Sequence, residues 1–119
     1  MHYVIAGAGP AAIAAAEHLR ELDTDSEVTL IGAQAQPPYS RMAIPYFLTG
    51  KVGEEGTYLR RSQDHYQNHG LKLIHGEVTA VDPSGHAVTL SDGQQISYDK
   101  LLLATGAEPI IPPVSGMDD

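Results

Sequence analysis

The glycine-rich corner near the N-terminus constrains the fold of this chain more than any other stretch. A short apolar run at positions 3–6 leads directly into the sequence GAGPAA at 7–12. An alanine-rich segment follows, and its larger apolar residues recur at helical spacing. Pro10 in the first helical turn loses no hydrogen bond and sets φ for a helix. The stretch therefore predicts a strand, a tight turn and a helix over residues 10–22.

The small residues of this corner have the spacing of a turn that binds a dinucleotide. Gly7 permits the tight turn, Gly9 leaves the backbone open to a pyrophosphate, and Ala12 lets the helix pack closely on the strand. The N–H groups at the start of the helix carry a partial positive charge that favours phosphates. We therefore predict a cofactor-binding turn made by Gly7, Gly9, Pro10, Ala11 and Ala12. The alternative is a turn of the same shape that binds nothing.

A second predicted strand, rich in β-branched side chains, covers residues 27–31. Together with the first strand and helix it makes a βαβ unit, whose strands are parallel and whose crossover is right-handed. Four further predicted elements are a loop over 32–40, a short helix over 41–48 broken near Pro45, a polar helix from about Arg60 to Gly70, and a core strand over 71–74.

The pattern changes from helical spacing to alternation after residue 76. Three short strands are predicted between 77 and 100, separated by turn signals at 83–85 and 92–93. The continuously apolar run at 101–104 predicts a strand buried on both faces. The fold class is therefore α/β, a parallel sheet with an inserted three-stranded antiparallel meander.

Composition excludes several classes of function. The formal charge of −8 disfavours partners such as nucleic acids and anionic membrane surfaces. The chain has no cysteine, which removes disulfides, thiolate metal sites and cysteine nucleophiles and fits a cytoplasmic protein. No apolar run approaches the roughly 20 residues of a membrane span, and the N-terminus lacks the basic region of a signal peptide.

Few polar side chains are candidates for binding a dinucleotide beside the glycine turn. A dinucleotide site expects Asp or Glu at the end of the second strand, to bind the ribose hydroxyls. The sequence has Gln34 there, whose amide oxygen accepts a hydroxyl hydrogen bond more weakly; the alternative is a solvated loop residue. Arg41 is a candidate to pair with a pyrophosphate or a carboxylate substrate, the alternative being a surface arginine.

No catalytic or metal-binding residue is predicted. His65 and His69 have metal-ligand spacing on a helix, but with no third ligand nearby a solvated face is the favoured interpretation. Arg60 and Arg61 are assigned to the surface.

Four stretches of the sequence together indicate a family. They are, in order, VIAGAGPAAIAAAEHL, VTLIGAQAQPPYSR, the meander and YDKLLLATGAEP. They resemble the N-terminal FAD-binding part of the pyridine nucleotide-disulphide oxidoreductase superfamily, along essentially the whole chain. Within it, PPYSR followed by IPYFLTGK is similar to rubredoxin and ferredoxin reductases, NADH oxidases and the flavin domain of assimilatory nitrite reductases.

The resemblance implies a cofactor role for each matching residue. The glycine turn would hold the FAD pyrophosphate, and Gln34 would replace the ribose-binding glutamate. Arg41 would lie close to the flavin diphosphate, and the backbone of Val78 would meet the adenine. The segment that would pass near the cofactor comprises Ala104, Thr105 and Gly106.

Two further departures from the family pattern bear on the chemistry. Met42 stands where the sulfur-using branches have a redox cysteine, and a thioether forms neither a sulfenate nor a mixed disulfide. Tyr46 lies near the position of a flavin-proximal lysine in another branch, where it would bind the flavin or simply pack.

The resemblance also implies how the chain is organised. Residues 1–111 would form a partial FAD/NAD(P)-binding domain, and 112–119 a linker towards an NAD(P)H-binding domain. The parent enzyme would pass electrons from NAD(P)H through FAD to an unknown acceptor, for which a protein is a candidate. A homodimer is one possible state of the parent enzyme. The chain alone would be inactive. The alternatives are an NAD(P)-binding module, or a truncated domain that binds no cofactor and self-associates through an exposed sheet edge.

Overall fold

Two sheets organise the chain. The computed structural model describes residues 1–34, 37–60, 62 and 64–117. Within these residues the strands are β1 His2–Ala6, β2 Glu27–Gly32, β3 Leu71–His75, β4 Val78–Asp82, β5 Ala87–Leu90, β6 Gln95–Ser97 and β7 Lys100–Leu103. One sheet has the order β3-β2-β1-β7 and is parallel throughout, and the other has the order β4-β5-β6 and is antiparallel. The predicted α/β class with an inserted meander is confirmed.

Helix α1, Pro10–Leu22, connects β1 to β2 with the predicted bounds. It packs on one face of the parallel sheet through the buried side chains of Ala12, Ile13 and Ala16. Polar residues end the helix, and the N–H of Asp23 donates to the carbonyl of Leu19 at 2.8 Å. The β1–α1–β2 unit thus brings the end of β1 and the start of α1 together at one edge of the sheet.

Each face of the parallel sheet is covered by a different layer. Successive strand residues point to opposite faces, so neighbouring residues of one strand join different core clusters. Ile5 and its partner Leu30 face α1 and join the core cluster on that side. Val4 and Ile31 face the meander and pack with Val88 of β5. The meander therefore covers the face of the parallel sheet opposite α1.

The two short helices differ from their predictions. A 3₁₀ turn at Arg41–Ala43 leads into α2, Ile44–Leu48, so Pro45 lies in the first turn of a helix and does not break one. The polar helix does not begin near Arg60: α3 covers only His65–Asn68. Its predicted end is confirmed, because Gly70 has a φ of +67°. Residues 61 and 63 lie outside the described ranges.

Strand β7 is not buried on both faces, and that prediction is wrong. The strand order puts β7 at the edge of the parallel sheet, where it pairs with β1. Leu101 packs against the meander, but Leu102 is 41% exposed and Leu103 is 62% exposed. An apolar run alone does not tell whether the strand has neighbours on both sides.

Within the described part of the chain, no helix is both long enough and apolar enough to cross a membrane.

Candidate functional site

The glycine turn lies at the carboxyl edge of the parallel sheet. Gly7 has a φ of +130°, a conformation that L side chains rarely adopt, and its N–H donates to the carbonyl of Ile31 at 2.8 Å. A Cβ on Gly7 would overlap the carbonyl oxygen of Ala104. Glycine is therefore required here by the backbone conformation and by the close approach of the chain leaving β7.

Gly9 leaves open space above the start of α1. It precedes the helix in an extended conformation, with φ −82° and ψ −173°, and a Cβ there would meet no atom within 4 Å. The first helical hydrogen bond runs from the N–H of Ile13 to the carbonyl of Gly9 at 3.0 Å. The N–H groups of Ala11 and Ala12 lie in the first turn, where a helix provides no carbonyl partner. This open cradle fits a pyrophosphate.

The segment after β7 runs beside the glycine turn. The N–H of Ala104 donates to the carbonyl of Ala6 at 2.8 Å, and Gly106 turns the chain with a φ of +79°. The Arg41 guanidinium donates through Nη1 to the carbonyl of Ala107 at 2.9 Å. The structure thus places Arg41 against the segment that leaves the parallel sheet beside Gly7. Whether Arg41, Thr105 and Gly106 contact a cofactor stays a prediction.

A cavity of about 440 Å³ opens where β1, β2 and β3 end. Ala8, Gly32 and Gln34 line it from the first two strands, and His75 lines it from the third. The Nε2 atom of His75 lies 3.2 Å from the carbonyl oxygen of Ala33 and so links β3 to the end of β2. Gln34 is exposed and lines this cavity, and its contact with a ribose stays a prediction.

Val78 begins the meander next to the same edge. The preceding turn is held because the N–H of Gly76 donates to the carbonyl of Gly32 at 2.8 Å. Val78 is partly buried against Leu90 and the rest of the meander-side core. The hydrogen bond between Gly76 and Gly32 brings the first residue of β4 to the end of β2. The backbone contact between Val78 and an adenine stays a prediction.

Glu17, Arg60 and His65 form a cluster that sequence spacing did not reveal. Arg60 donates from Nε and Nη2 to the two carboxylate oxygens of Glu17, each at 2.7 Å. His65 Nε2 lies 2.9 Å from Oε1 of the same carboxylate. The hydrogen bond from Arg60 is the largest cause that lowers the pKa of Glu17 to about 2.

This cluster corrects the assignment of Arg60 to the surface and of His65 to a solvated face. The pairs join residues 43 and 48 positions apart in sequence, so no local pattern indicates them. Arg60 also lines the cavity at the ends of β2 and β3. Among residues 1–34, 37–60, 62 and 64–117, no three His, Cys, Asp or Glu side chains are grouped so as to hold a metal ion.

Met42 and Tyr46 lie on the exposed segment around α2. Met42 is 86% exposed and Tyr46 is 54% exposed, with the Lys51 ammonium 5.9 Å from the centre of the Tyr46 ring.

The fold is a Rossmann-type nucleotide-binding fold. It has a parallel sheet with a glycine turn at its carboxyl edge, an open helix N-terminus, and an antiparallel sheet packed on one face. Over residues 1–119 the chain matches the family Pyridine nucleotide-disulphide oxidoreductase, and it belongs to that family. Members of this family are FAD-dependent oxidoreductases that use NAD(P)H.

Two relatives and one solved structure illustrate the similarity. The chain is 35% identical over 116 residues to the epsilon subunit of NADH-dependent phenylglyoxylate dehydrogenase from Aromatoleum evansii, covering 98% of this chain and 28% of that protein. It is 32% identical over 124 residues to an NADH oxidase from Methanocaldococcus jannaschii, covering 99% and 28%. A covalent putidaredoxin reductase–putidaredoxin complex superposes with a TM-score of 0.89 at 33% identity, covering 97% and 28%. The chain thus spans little more than a quarter of the length of these proteins.

Proposed function

We propose that this chain is the FAD-binding part of an NAD(P)H-dependent flavoprotein oxidoreductase that passes electrons to a separate acceptor without a redox-active cysteine. One observation carries the proposal: a Cβ on Gly9 would meet no atom within 4 Å, so the space at the start of α1 is open. Family membership makes FAD the ligand expected in that space.

The residues of this edge would bind FAD in three places. The pyrophosphate would lie over Gly9 and accept hydrogen bonds from the N–H groups of Ala11 and Ala12. Gln34 would accept a hydrogen bond from a ribose hydroxyl. The adenine would meet the backbone at Val78.

The rest of the edge would orient the flavin end. Arg41 would place a positive charge beside the diphosphate while it stays bonded to the carbonyl of Ala107. Thr105 and Gly106 would flank the cofactor where the chain leaves β7. When bound, the flavin supplies the redox chemistry, by accepting a hydride from NAD(P)H and donating electrons onward. These residues of the chain hold and orient it.

The absence of a thiol limits the route of the electrons. The chain contains no cysteine, and Met42 stands where the resemblance puts the redox cysteine of related branches. A thioether does not form a mixed disulfide, so we propose that electrons leave the flavin without a covalent sulfur relay through this chain. The putidaredoxin reductase complex supports a protein acceptor for the parent enzyme.

We further propose that residues 1–111 act as a partial FAD-binding domain and that 112–119 connect it to an NAD(P)H-binding domain. The relatives are more than three times as long as the part that they share with this chain, which supports this organisation. On its own the chain would bind FAD but would not oxidise NAD(P)H. A cytoplasmic location and a homodimer stay predictions.

A titration of the purified chain with FAD tests the proposal. We expect bound flavin to be visible in the absorption spectrum and FAD binding to be measurable by calorimetry, with no NADH oxidation by the loaded chain. A colourless chain that binds NADPH and not FAD would support the alternative of an NAD(P)-binding module. A chain that binds none of the nucleotides and elutes as an aggregate would support the self-associating alternative.

A further inference from the structure

The segment between β2 and β3, residues 37–69, is held differently from the rest of the chain. Its described part contains α2, α3 and 3₁₀ turns at Arg41–Ala43 and Glu54–Thr57, and no strand of either sheet. No ladder of strand hydrogen bonds therefore fixes this part to the parallel sheet. Its position depends on the contacts that individual residues make with the other elements.

Two short stretches of this segment, 38–40 and 57–59, pair with each other, and we call them the ribbon. The N–H of Ser40 donates to the carbonyl of Thr57 at 2.8 Å. Arg41 follows the ribbon directly in the chain. The position of the ribbon therefore sets where the Arg41 side chain begins, and so how it approaches the diphosphate proposed to lie beside it.

Glu17 connects the ribbon to α1. Arg60, the residue after the ribbon, donates to both carboxylate oxygens of Glu17 at 2.7 Å, and its Nη1 atom donates to the carbonyl of Leu59 at 2.8 Å. The N–H of Leu59 in turn donates to the carbonyl of Pro38 at 2.9 Å. A continuous path of hydrogen bonds thus leads from α1 to both halves of the ribbon.

The same carboxylate also holds the start of α3. His65 Nε2 lies 2.9 Å from Oε1 of Glu17. Because the pKa of Glu17 is about 2, its carboxylate is ionised at neutral pH and only accepts, so His65 is the donor. Among the described residues, Glu17 is the only member of α1 that hydrogen-bonds to any residue from 37 to 69.

The geometry of this connection restricts movement of the ribbon. The side chains of Glu17 and Arg60 are 25% and 36% exposed, and their two parallel hydrogen bonds fix the plane of the guanidinium. The first turn of α1 also carries the free N–H groups proposed to bind the pyrophosphate. One helix therefore provides the cradle for the pyrophosphate and holds the segment that carries Arg41.

We propose that Glu17 is a positioning residue for the cofactor, which through Arg60 and the ribbon places Arg41 beside the diphosphate. The inference rests on the proposed function, since the contact between Arg41 and the diphosphate belongs to that proposal. Glu17 acts without touching the cofactor, because Arg60 and His65 occupy its carboxylate and it does not line the cavity at the ends of β2 and β3.

Calorimetry with FAD on a double-mutant cycle tests this inference. Glu17→Gln should weaken FAD binding about tenfold, the size of one charge-assisted hydrogen bond. Arg41→Gln should weaken it by a similar factor. The double variant should bind no more weakly than either single variant, because Glu17 acts through Arg41. Losses that multiply to about a hundredfold would overturn the inference, since independent effects add in free energy.

Arg60→Lys separates position from charge. A role of Glu17 through charge alone would act in the opposite direction, because the freed Arg60 cation would attract the diphosphate. Lysine keeps the cation but loses the two-bond geometry, so we expect weaker FAD binding by a chain that circular dichroism shows to be folded. Unchanged or tighter binding by this variant would contradict the positioning role.

Glu21→Gln is the matched control for Glu17→Gln. It removes an acid from the same helix at a side chain that is 77% exposed, and it should leave FAD affinity unchanged. An equal loss of affinity in the two variants would mean that the net charge of α1, and not the contact with Arg60, is responsible.

Amide hydrogen exchange without FAD tests the placement of the ribbon independently of the cofactor. Glu17→Gln should raise exchange several-fold at Ser40 and Leu59, whose N–H groups hold the ribbon, and leave β1 unchanged. If the unaltered chain does not bind FAD, the proposed function fails, and exchange at these two amides still decides whether Glu17 holds the ribbon. If FAD binds but neither its affinity nor this exchange responds to Glu17→Gln, the positioning role is disproved and the proposed function stands.

Discussion

Gly7 and Ala104, 97 positions apart in sequence, are packed so closely that a Cβ on Gly7 would overlap the Ala104 carbonyl oxygen. Backbone hydrogen bonds hold both residues in place: Gly7 donates to Ile31, and Ala104 donates to Ala6, each at 2.8 Å. The turn after β1 and the exit from β7 therefore form one unit. A change in either residue alters the edge on which the proposed cofactor lies.

Gly7→Ala should destabilise the chain by about 2–4 kcal/mol, because the methyl group meets both an unfavourable φ and a backbone carbonyl. Urea unfolding followed by circular dichroism measures the change. Gly53→Ala is the matched control, since Gly53 has a φ of −78° and open space around its Cβ position. Equal stability of the two variants would contradict the packing described for Gly7.

Gly9→Leu should remove FAD binding while it leaves the fold intact. The backbone at Gly9 suits any residue, and a leucine side chain would fill the space proposed for the pyrophosphate. Calorimetry measures the loss of affinity, and thermal unfolding measures a cost of about 1 kcal/mol at most for a poorer residue at the start of the helix.

Gly53→Leu serves as the comparison for Gly9→Leu, because it puts the same side chain before a 3₁₀ turn in a similarly extended and open position. FAD binding by the Gly9→Leu variant at the original affinity would show that the pyrophosphate does not lie there.

Glu17 should make the stability of the chain depend on acidic pH. Its pKa is about 2 in the folded chain against an ordinary value of 4.5, chiefly because of the hydrogen bond from Arg60. A pKa lowered by folding stabilises the chain above the unfolded value, and this contribution is lost as the pH falls from about 4.5 to about 2. Glu17→Gln should therefore cost about 1–2 kcal/mol at neutral pH, after allowance for solvent screening, and much less near pH 2.

Urea unfolding at several pH values measures this difference. Glu21→Gln, on the same helix, is the control, because Glu21 is 77% exposed and its contact to His18 is 3.5 Å long. A cost for Glu17→Gln that stays constant down to pH 2 would contradict the pairing with Arg60.

Leu101 and Leu103 should respond differently to truncation, although they lie on the same face of β7. Leu101→Ala removes a side chain packed against the meander and should cost about 1–3 kcal/mol. Leu103→Ala should cost about 0.5 kcal/mol or less, since the side chain is 62% exposed at the sheet edge. Denaturant unfolding of the two variants compares them directly, and equal costs would mean that Leu103 is covered in solution.

The sequence predicts best those elements whose bounds are set by residues close to them in the chain. Helix α1 has its predicted bounds because Pro10 and the polar residues after Leu22 act within one turn of its ends. The meander follows from short turn signals, such as Asp82, whose carboxylate accepts the N–H groups of Ser84 and Gly85. Helix α3 covers only His65–Asn68 and is shorter than predicted, and Arg60 lies outside it and pairs with Glu17, 43 positions away.

By itself the sequence determined the strand, turn and helix at the N-terminus, the antiparallel meander and the family, because each depends on residue types at short spacing. Only the tertiary structure decided that Gly7 packs against Ala104, that β7 is an edge strand, and that Arg60 and Gln34 line one cavity. Those relationships join residues far apart in the chain. They arise from strand order and from packing, which no local pattern of side chains encodes.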